Sequence, residues 1–313
     1  MKKLVATSAM AIALAVSANT AQAADMDYEQ ALRDVVVSGK VESWVGITVV
    51  TSVEDDADPD EGSYGAAGGG VALSMPLGNG LAMQMDANWE RSMDTLGGTV
   101  GDDRFSDSFQ GAVHLSKRDP SMGLLGVFGG AGQANFEGDA GNSANEAAFA
   151  FVGGEAQLYF QDWTLYAQAG AILSEGDDDI LGNTDEGHEA FFVRGVARWF
   201  IDSMSRLQAE GAYANGDVDG NSGSINMDIF EWGVRYDRMV GLPILGDTQL
   251  FGAYRGNSFD KGDTDPGSFV THTFMVGTSI SFGGNSMQEF DRVGASLDTP
   301  NIGRWVISGE QVE

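Results

Sequence analysis

Residues 81–90 read Leu81-Ala82-Met83-Gln84-Met85-Asp86-Ala87-Asn88-Trp89-Glu90, and the run alternates in period two. Leu81, Met83, Met85, Ala87 and Trp89 share one set of positions; Gln84, Asp86, Asn88 and Glu90 share the other. A helix would mix the two sets around its axis, whereas a strand sends them to opposite faces. The apolar face continues to the end of the segment, which suits lipid better than a finite core.

The same pattern recurs along the chain. Twelve segments alternate in this way: 40–52, 64–76, 81–92, 105–116, 123–136, 147–160, 163–174, 189–201, 206–216, 225–238, 248–257 and 269–282. Most have the roughly 9–11 residues that a tilted strand needs to cross a bilayer, or slightly more. The connections alternate in character. Leu77 to Gly80, Gln161-Asp162 and Asp202 to Ser205 are short turns. Between them lie the long, Gly-rich, acidic stretches 53–63, 93–104, 137–146, 175–188, 217–224 and 258–268. Short turns on one side and long loops on the other describe a membrane barrel, because a bilayer tolerates only helices and closed sheets. The fold expected is an all-β, antiparallel, up-and-down transmembrane barrel of about twelve strands, spanning 40–282. Aromatic residues at strand ends suggest two interfacial girdles. Trp89, Phe105, Phe149, Phe191, Phe230 and Phe269 lie near the long loops; Phe160, Trp163, Trp199, Tyr236, Phe251 and Phe282 lie near the short turns.

Composition agrees. The chain has 313 residues, a formal net charge of −29, 44 Gly and no Cys. The charge excludes a nucleic-acid partner, which needs a basic face. A hydrophobic fraction of 42% excludes a disordered acidic chain. The absence of Cys excludes thiolate metal sites and Cys nucleophiles. Lys2 and Lys3, an apolar run from Leu4 to Val16, and Ala21-Gln22-Ala23 form a secretory signal over residues 1–23. Residues 24–39 then read as a short periplasmic segment, with Tyr28, Leu32 and Val35 at helical spacing.

The last alternating segment carries Phe274, Val276, Thr278, Ile280 and Phe282 on one face and ends in an aromatic. On these residues the chain resembles Gram-negative outer-membrane β-barrels of the porin kind. The resemblance implies that Phe282 closes a terminal signal read by the barrel assembly machinery. It also implies an outer-membrane location among lipid and lipopolysaccharide. One departure is clear: the family usually ends at that aromatic, whereas residues 283–313 follow here as a periplasmic tail or a plug.

The long loops hold half of the 46 Asp and Glu. Asp56, Asp58 and Asp60, and Asp177, Asp178 and Asp179, are the densest runs of this acidic rim. Such a rim keeps the loops hydrated, concentrates cations and lets divalent ions bridge weakly to lipopolysaccharide phosphates. A specific calcium loop is not indicated, because Glu61 stands where the turn after Asp56, Asp58 and Asp60 needs Gly. No cofactor and no specific metal site are expected.

The face opposite the apolar one should line the lumen. Its charged members are Asp86, Glu90, Glu155, Arg194, Arg198, Glu210, Glu231, Arg235 and Arg255. Charges this dense cannot face acyl chains. They suggest a pore whose basic wall at Arg194, Arg198, Arg235 and Arg255 faces the acids of residues 81–92. The function expected is passive diffusion of small hydrophilic solutes, with a cation bias set by the loops. The alternative is a structural or adhesive barrel with a filled lumen, in which Glu231 and Arg235 take part in internal salt bridges. A weaker alternative is an outer-membrane hydrolase. His114, His188 and His272 are the three histidines, and none stands in a recognisable nucleophile motif, so no enzyme activity is expected. Every strand is similarly apolar outward, so no side marks itself as a subunit interface.

Overall fold

The computed structural model describes residues 37–52, 62–98, 104–137, 145–175, 188–220, 223–242, 246–260 and 269–307. The expected signal sequence, residues 24–36 and the expected acidic-rim residues Asp56, Asp58, Asp60, Asp177, Asp178 and Asp179 lie outside them.

Twelve strands form one closed antiparallel barrel: β1 (Ser38–Ser52), β2 (Gly62–Gly78), β3 (Leu81–Gly98), β4 (Arg104–Asp119), β5 (Gly123–Glu137), β6 (Asn145–Tyr159), β7 (Trp163–Glu175), β8 (His188–Asp202), β9 (Ser205–Gly220), β10 (Gly223–Leu242), β11 (Gly246–Asp260) and β12 (Phe269–Phe282). Each strand pairs with its sequence neighbours, and β12 closes on β1 from Gly39↔Phe282 to Ser52↔Phe269. Closure leaves no unpaired edge, which is the condition for a sheet to sit in hydrocarbon. The strand count matches the sequence reading. Most strands are a few residues longer than expected, and β1 begins at Ser38 rather than at residue 40, so the end of the supposed N-terminal segment belongs to the barrel. At the β2–β3 turn, Asn79 and Gly80 both have positive φ, the geometry a two-residue hairpin of matching twist requires.

Alternation sorts the side chains by face. Val41, Val45, Ile47, Val71, Leu125, Val127 and Val276 are exposed on the outside, while Gln84, Gln110, His114, Glu155, Gln168 and Arg198 are buried inside. This inversion of the soluble pattern makes the outer surface the solvent-insoluble one, so the lipid supplies the burial. Val127→Arg places a guanidinium on that belt. It is expected to cost up to roughly 2–4 kcal/mol, read as a lower midpoint in urea unfolding from lipid vesicles; an unshifted midpoint contradicts a lipid-facing β5.

Only part of the aromatic girdle exists. Trp89, Phe191, Phe230, Phe160, Trp163, Trp199, Tyr236 and Phe282 are exposed on the outside, although Trp89, Phe230 and Tyr236 stand well inside their strands, and the side chain of Phe269 lies outside the described residues. Phe105, Phe149 and Phe251 instead point inward and are buried. The reason is that the lumen is not filled by water alone. Gly283, at φ +92, reverses the chain after β12, and a Cβ there would collide with Ser38. Residues 284–307 then run back up the inside of the barrel. Helix α1 (Met287–Val293) sits at the short-turn end. Ser286 caps it by accepting from the Glu289 N–H at 3.1 Å, and the Glu289 carboxylate accepts from the Asn285 N–H at 2.9 Å. Met287 packs with Phe200 and Met239, and Phe290 with Ala72 and Ala295. Helix α2 (Ile302–Ile307) sits in the half of the lumen nearer the long connections. Its Ile302, Trp305 and Val306 join one apolar cluster with Phe105, Phe128, Phe149, Phe151 and Phe192 from the wall.

Candidate functional site: the charged lumen

Between the two helices, residues 295–301 cross the charged middle of the lumen without regular secondary structure. Alternation brings all nine charged lumen candidates to the inner face, and the tail meets most of them. Gln84 on β3 pairs with the Leu297 peptide in both directions: its Nε2 donates to the carbonyl at 2.6 Å, and its Oε1 accepts from the N–H at 3.1 Å. Gln110 Nε2 donates to Thr299 Oγ1 and to the Pro300 carbonyl. Asn301 Nδ2 donates to Glu90 at 2.7 Å. Trp305 Nε1 donates to Glu231 at 3.1 Å, and Arg304 donates to the Tyr64 hydroxyl at 2.8 Å.

The arginines do not form one wall facing β3. Of the four expected in that wall, Arg255 reaches across to an acid there, Glu90, at 2.7 Å, a carboxylate that also lies 3.7 Å from the tail's Arg304. Arg235 pairs instead with Glu42 at 2.7 Å and with Asp237 at 2.8 Å, not with Glu231. Arg194 lies between Glu210 and the tail's Asp298, at 2.9 Å from the latter. Arg198 binds the tail's Asp291 at 2.7 Å, a carboxylate that also accepts from Thr164 Oγ1 at 2.7 Å. Asp86 and Glu155 both face His114, at 2.7 and 3.0 Å, and Tyr166 donates to Glu155 at 2.6 Å. Alternation revealed which side chains point inward. It could not reveal Asp291 and Asp298, whose segment has no strand period, nor Lys40 and Glu42, which looked like the start of an ordinary strand.

The tail does not fill the lumen completely. A cavity of about 200 Å³ remains beside it, lined by Lys40, Glu42, Asp86, Glu90, Arg235 and Arg255 among others. A second void of about 50 Å³ shares Lys40, Arg235 and Asp298 with the first. Both are polar, so both suit water and small solutes. Among the described residues no group of His, Asp and Glu has the geometry of a metal site. No helix there is long and apolar enough to cross a membrane. His188 has only its backbone described, and His272 faces outward, where its Nδ1 lies 2.8 Å from the Tyr254 hydroxyl.

Asp298 carries the clearest electrostatic signature of docking. Burial alone would raise its pKa, but the guanidiniums of Arg194 and Arg198 outweigh that and hold the carboxyl well below the usual carboxylate range. A carboxylate whose pKa is depressed in the docked state adds stability at every pH above its free value, about 3.9. That stability is lost only as pH falls through the docked value. The tail is therefore expected to stay docked from neutral pH down to about pH 5, with loosening confined to stronger acid. Hydrogen exchange of the tail amides at graded pH, corrected for the intrinsic pH dependence of exchange, checks this; loosening already between pH 7 and pH 5 contradicts it.

No protein-family model matches the sequence, and no curated protein matches it. Solved structures do match the fold. An outer-membrane channel from Pseudomonas putida F1 superposes with a TM-score of 0.50 at 9% identity, covering 83% of this chain and all of that one (100%). The translocator domain of the autotransporter NalP from Neisseria meningitidis gives a TM-score of 0.47 at 12% identity, covering 81% of this chain and 92% of that one. The fold is that of the Gram-negative outer-membrane β-barrels. With its apolar outer belt and charged interior, the closed sheet has the face sorting of a membrane-spanning barrel.

Proposed function

We propose that the protein is an outer-membrane channel for passive diffusion of small hydrophilic solutes, closed in this state by its own C-terminal segment. The observation that carries the reading is the lumen itself. Behind the tail's central stretch the wall carries charged and amide side chains, with about 200 Å³ of polar cavity still open beside it. A barrel built only as a scaffold is more stable with an apolar filling, since buried ion pairs add little against well-packed apolar groups. A wall that keeps its charges serves solutes that cross it. The acidic loops then act as an antechamber that raises local cation concentration and is bridged by divalent ions to lipopolysaccharide, and Phe282 serves the assembly machinery.

A second reading, a structural or adhesive barrel with a filled lumen, has one observation in its favour. Ile302, Trp305 and Val306 are sealed in an apolar cluster rather than resting on a polar surface. Neither reading includes catalysis, and lipase and peptidase screens of the purified protein are expected to be blank.

Planar-bilayer recording of the full chain separates the two. The channel reading expects brief, infrequent openings in the wild type and long openings in variants whose tail is released. Silence in both the wild type and a folded, tail-released variant establishes the filled barrel instead.

A further inference from the structure

We infer that the β7–β8 wall is a binding site for small dicarboxylates, held in this state by the tail's Asp291 and Asp298 as built-in mimics of the solute. The inference rests on the channel reading for its purpose but not for its chemistry.

The geometry is that of a carboxylate receptor. Arg194 sets two nitrogens against the two oxygens of Asp298, NH1 to Oδ1 at 2.9 Å and NH2 to Oδ2 at 3.3 Å, the forked arrangement guanidinium favours. Arg198 reaches both acids at once, with NH1 at 2.7 Å from Asp291 and NH2 at 3.6 Å from Asp298. Thr164 donates to the Asp291 carboxylate, and Gln168 donates to the Asp298 carbonyl at 2.8 Å. Two carboxylates within reach of one guanidinium define a ligand with two acid groups a few carbons apart.

Charge bookkeeping gives the sign. The barrel acids that line the cavity beside the tail each have a partner on the barrel itself: Glu42 has Arg235, Glu90 has Arg255, and Asp86 has His114. They offer no unfilled negative site. Arg194 and Arg198 are different. Both are almost fully buried, and without the tail they retain one carboxylate between them, Glu210, plus the amides of Gln168 and Gln208. With the tail withdrawn, two guanidiniums face the narrow lumen with a single carboxylate between them, a net positive, pre-arranged wall that favours an anion. Lys40, on the wall of the adjoining cavities, adds a further positive charge beside Asp298. The inside of the barrel thus prefers the charge opposite to the one its acidic loops attract. The loops govern approach, and the β8 arginines govern selection.

Succinate is the probe. In the full chain, Asp291→Asn with Asp298→Asn vacates the wall. That variant, in detergent micelles at low ionic strength, is expected to bind succinate by calorimetry, whereas the wild type binds it at least tenfold more weakly. Putrescine, of similar length and opposite charge, should bind neither. Adding Arg194→Gln and Arg198→Gln should abolish binding; binding that survives this change, or a folded double-Asn variant that ignores succinate, overturns the site. The wild type offers an independent measurement should the variant fail to fold. Millimolar succinate should displace the tail and speed tryptic cleavage after Arg292 severalfold, while sodium chloride at equal ionic strength should not. Equal effects of the two salts also overturn the site. A variant that binds succinate yet passes no current sinks the channel reading and leaves this site standing. One that conducts without binding succinate does the reverse.

Discussion

Trp305→Ala is expected to free the outer half of the tail and convert the closed barrel into a persistently conducting one. Trp305 is among the most buried side chains of the protein, at 1% exposure, and its ring centroid lies 6.0 Å from that of Phe192. Ile172, Ala190, Ala214 and Ile229 complete the apolar socket. Truncating a buried Trp to Ala costs roughly 3–5 kcal/mol. The substitution also removes the Nε1 donor from Glu231, a buried carboxylate, and leaving such a group unsatisfied costs about 1–3 kcal/mol more. None of this loss falls on the barrel, whose closure runs through β1 and β12. It falls on the docking equilibrium of the tail, where about 1.4 kcal/mol is a factor of ten. The undocked population should therefore rise by two orders of magnitude or more. Two measurements check it in the full chain: trypsin should cut after Arg304, which is buried when docked, and bilayer recordings should show long openings. Trp305→Phe keeps most of the packing and loses only the donor, so it should fall between the two. Rapid cleavage with unchanged conductance means that the tail is not the gate.

Asp291→Asn should release the other end of the same segment. Asp291 is fully buried and is held by Arg198 and Thr164, each at 2.7 Å. Removing one member of a buried ion pair is far worse than removing both, because the surviving charge is stranded; the usual cost is about 3–5 kcal/mol. Here the lower end applies, since Arg198 keeps a hydrogen bond to Gln208 at 3.2 Å and lies 3.6 Å from Asp298. The loss is also capped: once it exceeds the docking free energy, the tail leaves and water reaches Arg198. Trypsin should then cut after Arg292, whose backbone lies in α1. The double variant Asp291→Asn with Arg198→Gln should be cleaved more slowly than Asp291→Asn alone, a non-additivity that only direct contact produces. Equal cleavage of the single and double variants excludes the ion pair as the anchor.

The lumen candidates illustrate how far periodicity reaches. Glu90 and Arg255 were both placed inward by alternation alone, and they do meet, at 2.7 Å. Arg235 was also placed inward, yet its partner is Glu42 on β1. Strand order in a closed barrel brings together residues 193 positions apart, and no local pattern encodes which acid a given arginine will find. Phe105, Phe149 and Phe251 were assigned to the interfacial belts because they stand near strand ends. They stand on the inward set of their strands, where they find partners: the tail's Arg304 lies over the Phe105 ring at 4.4 Å, and the wall's own Arg235 over Phe251 at 3.7 Å.

By itself, the sequence determined the strands, their number, the sorting of side chains between lipid and lumen, and the closure that a bilayer imposes. Those properties follow from a period of two and from the cost of unpaired backbone in hydrocarbon, both of which act locally. What only the tertiary structure decided is the fate of residues 283–307. Gly283 can turn the chain either way in isolation. It turns inward because a ready-made lumen offers Arg194 and Arg198 to two aspartates and an apolar socket to Trp305, a complementarity that exists only once all twelve strands have closed.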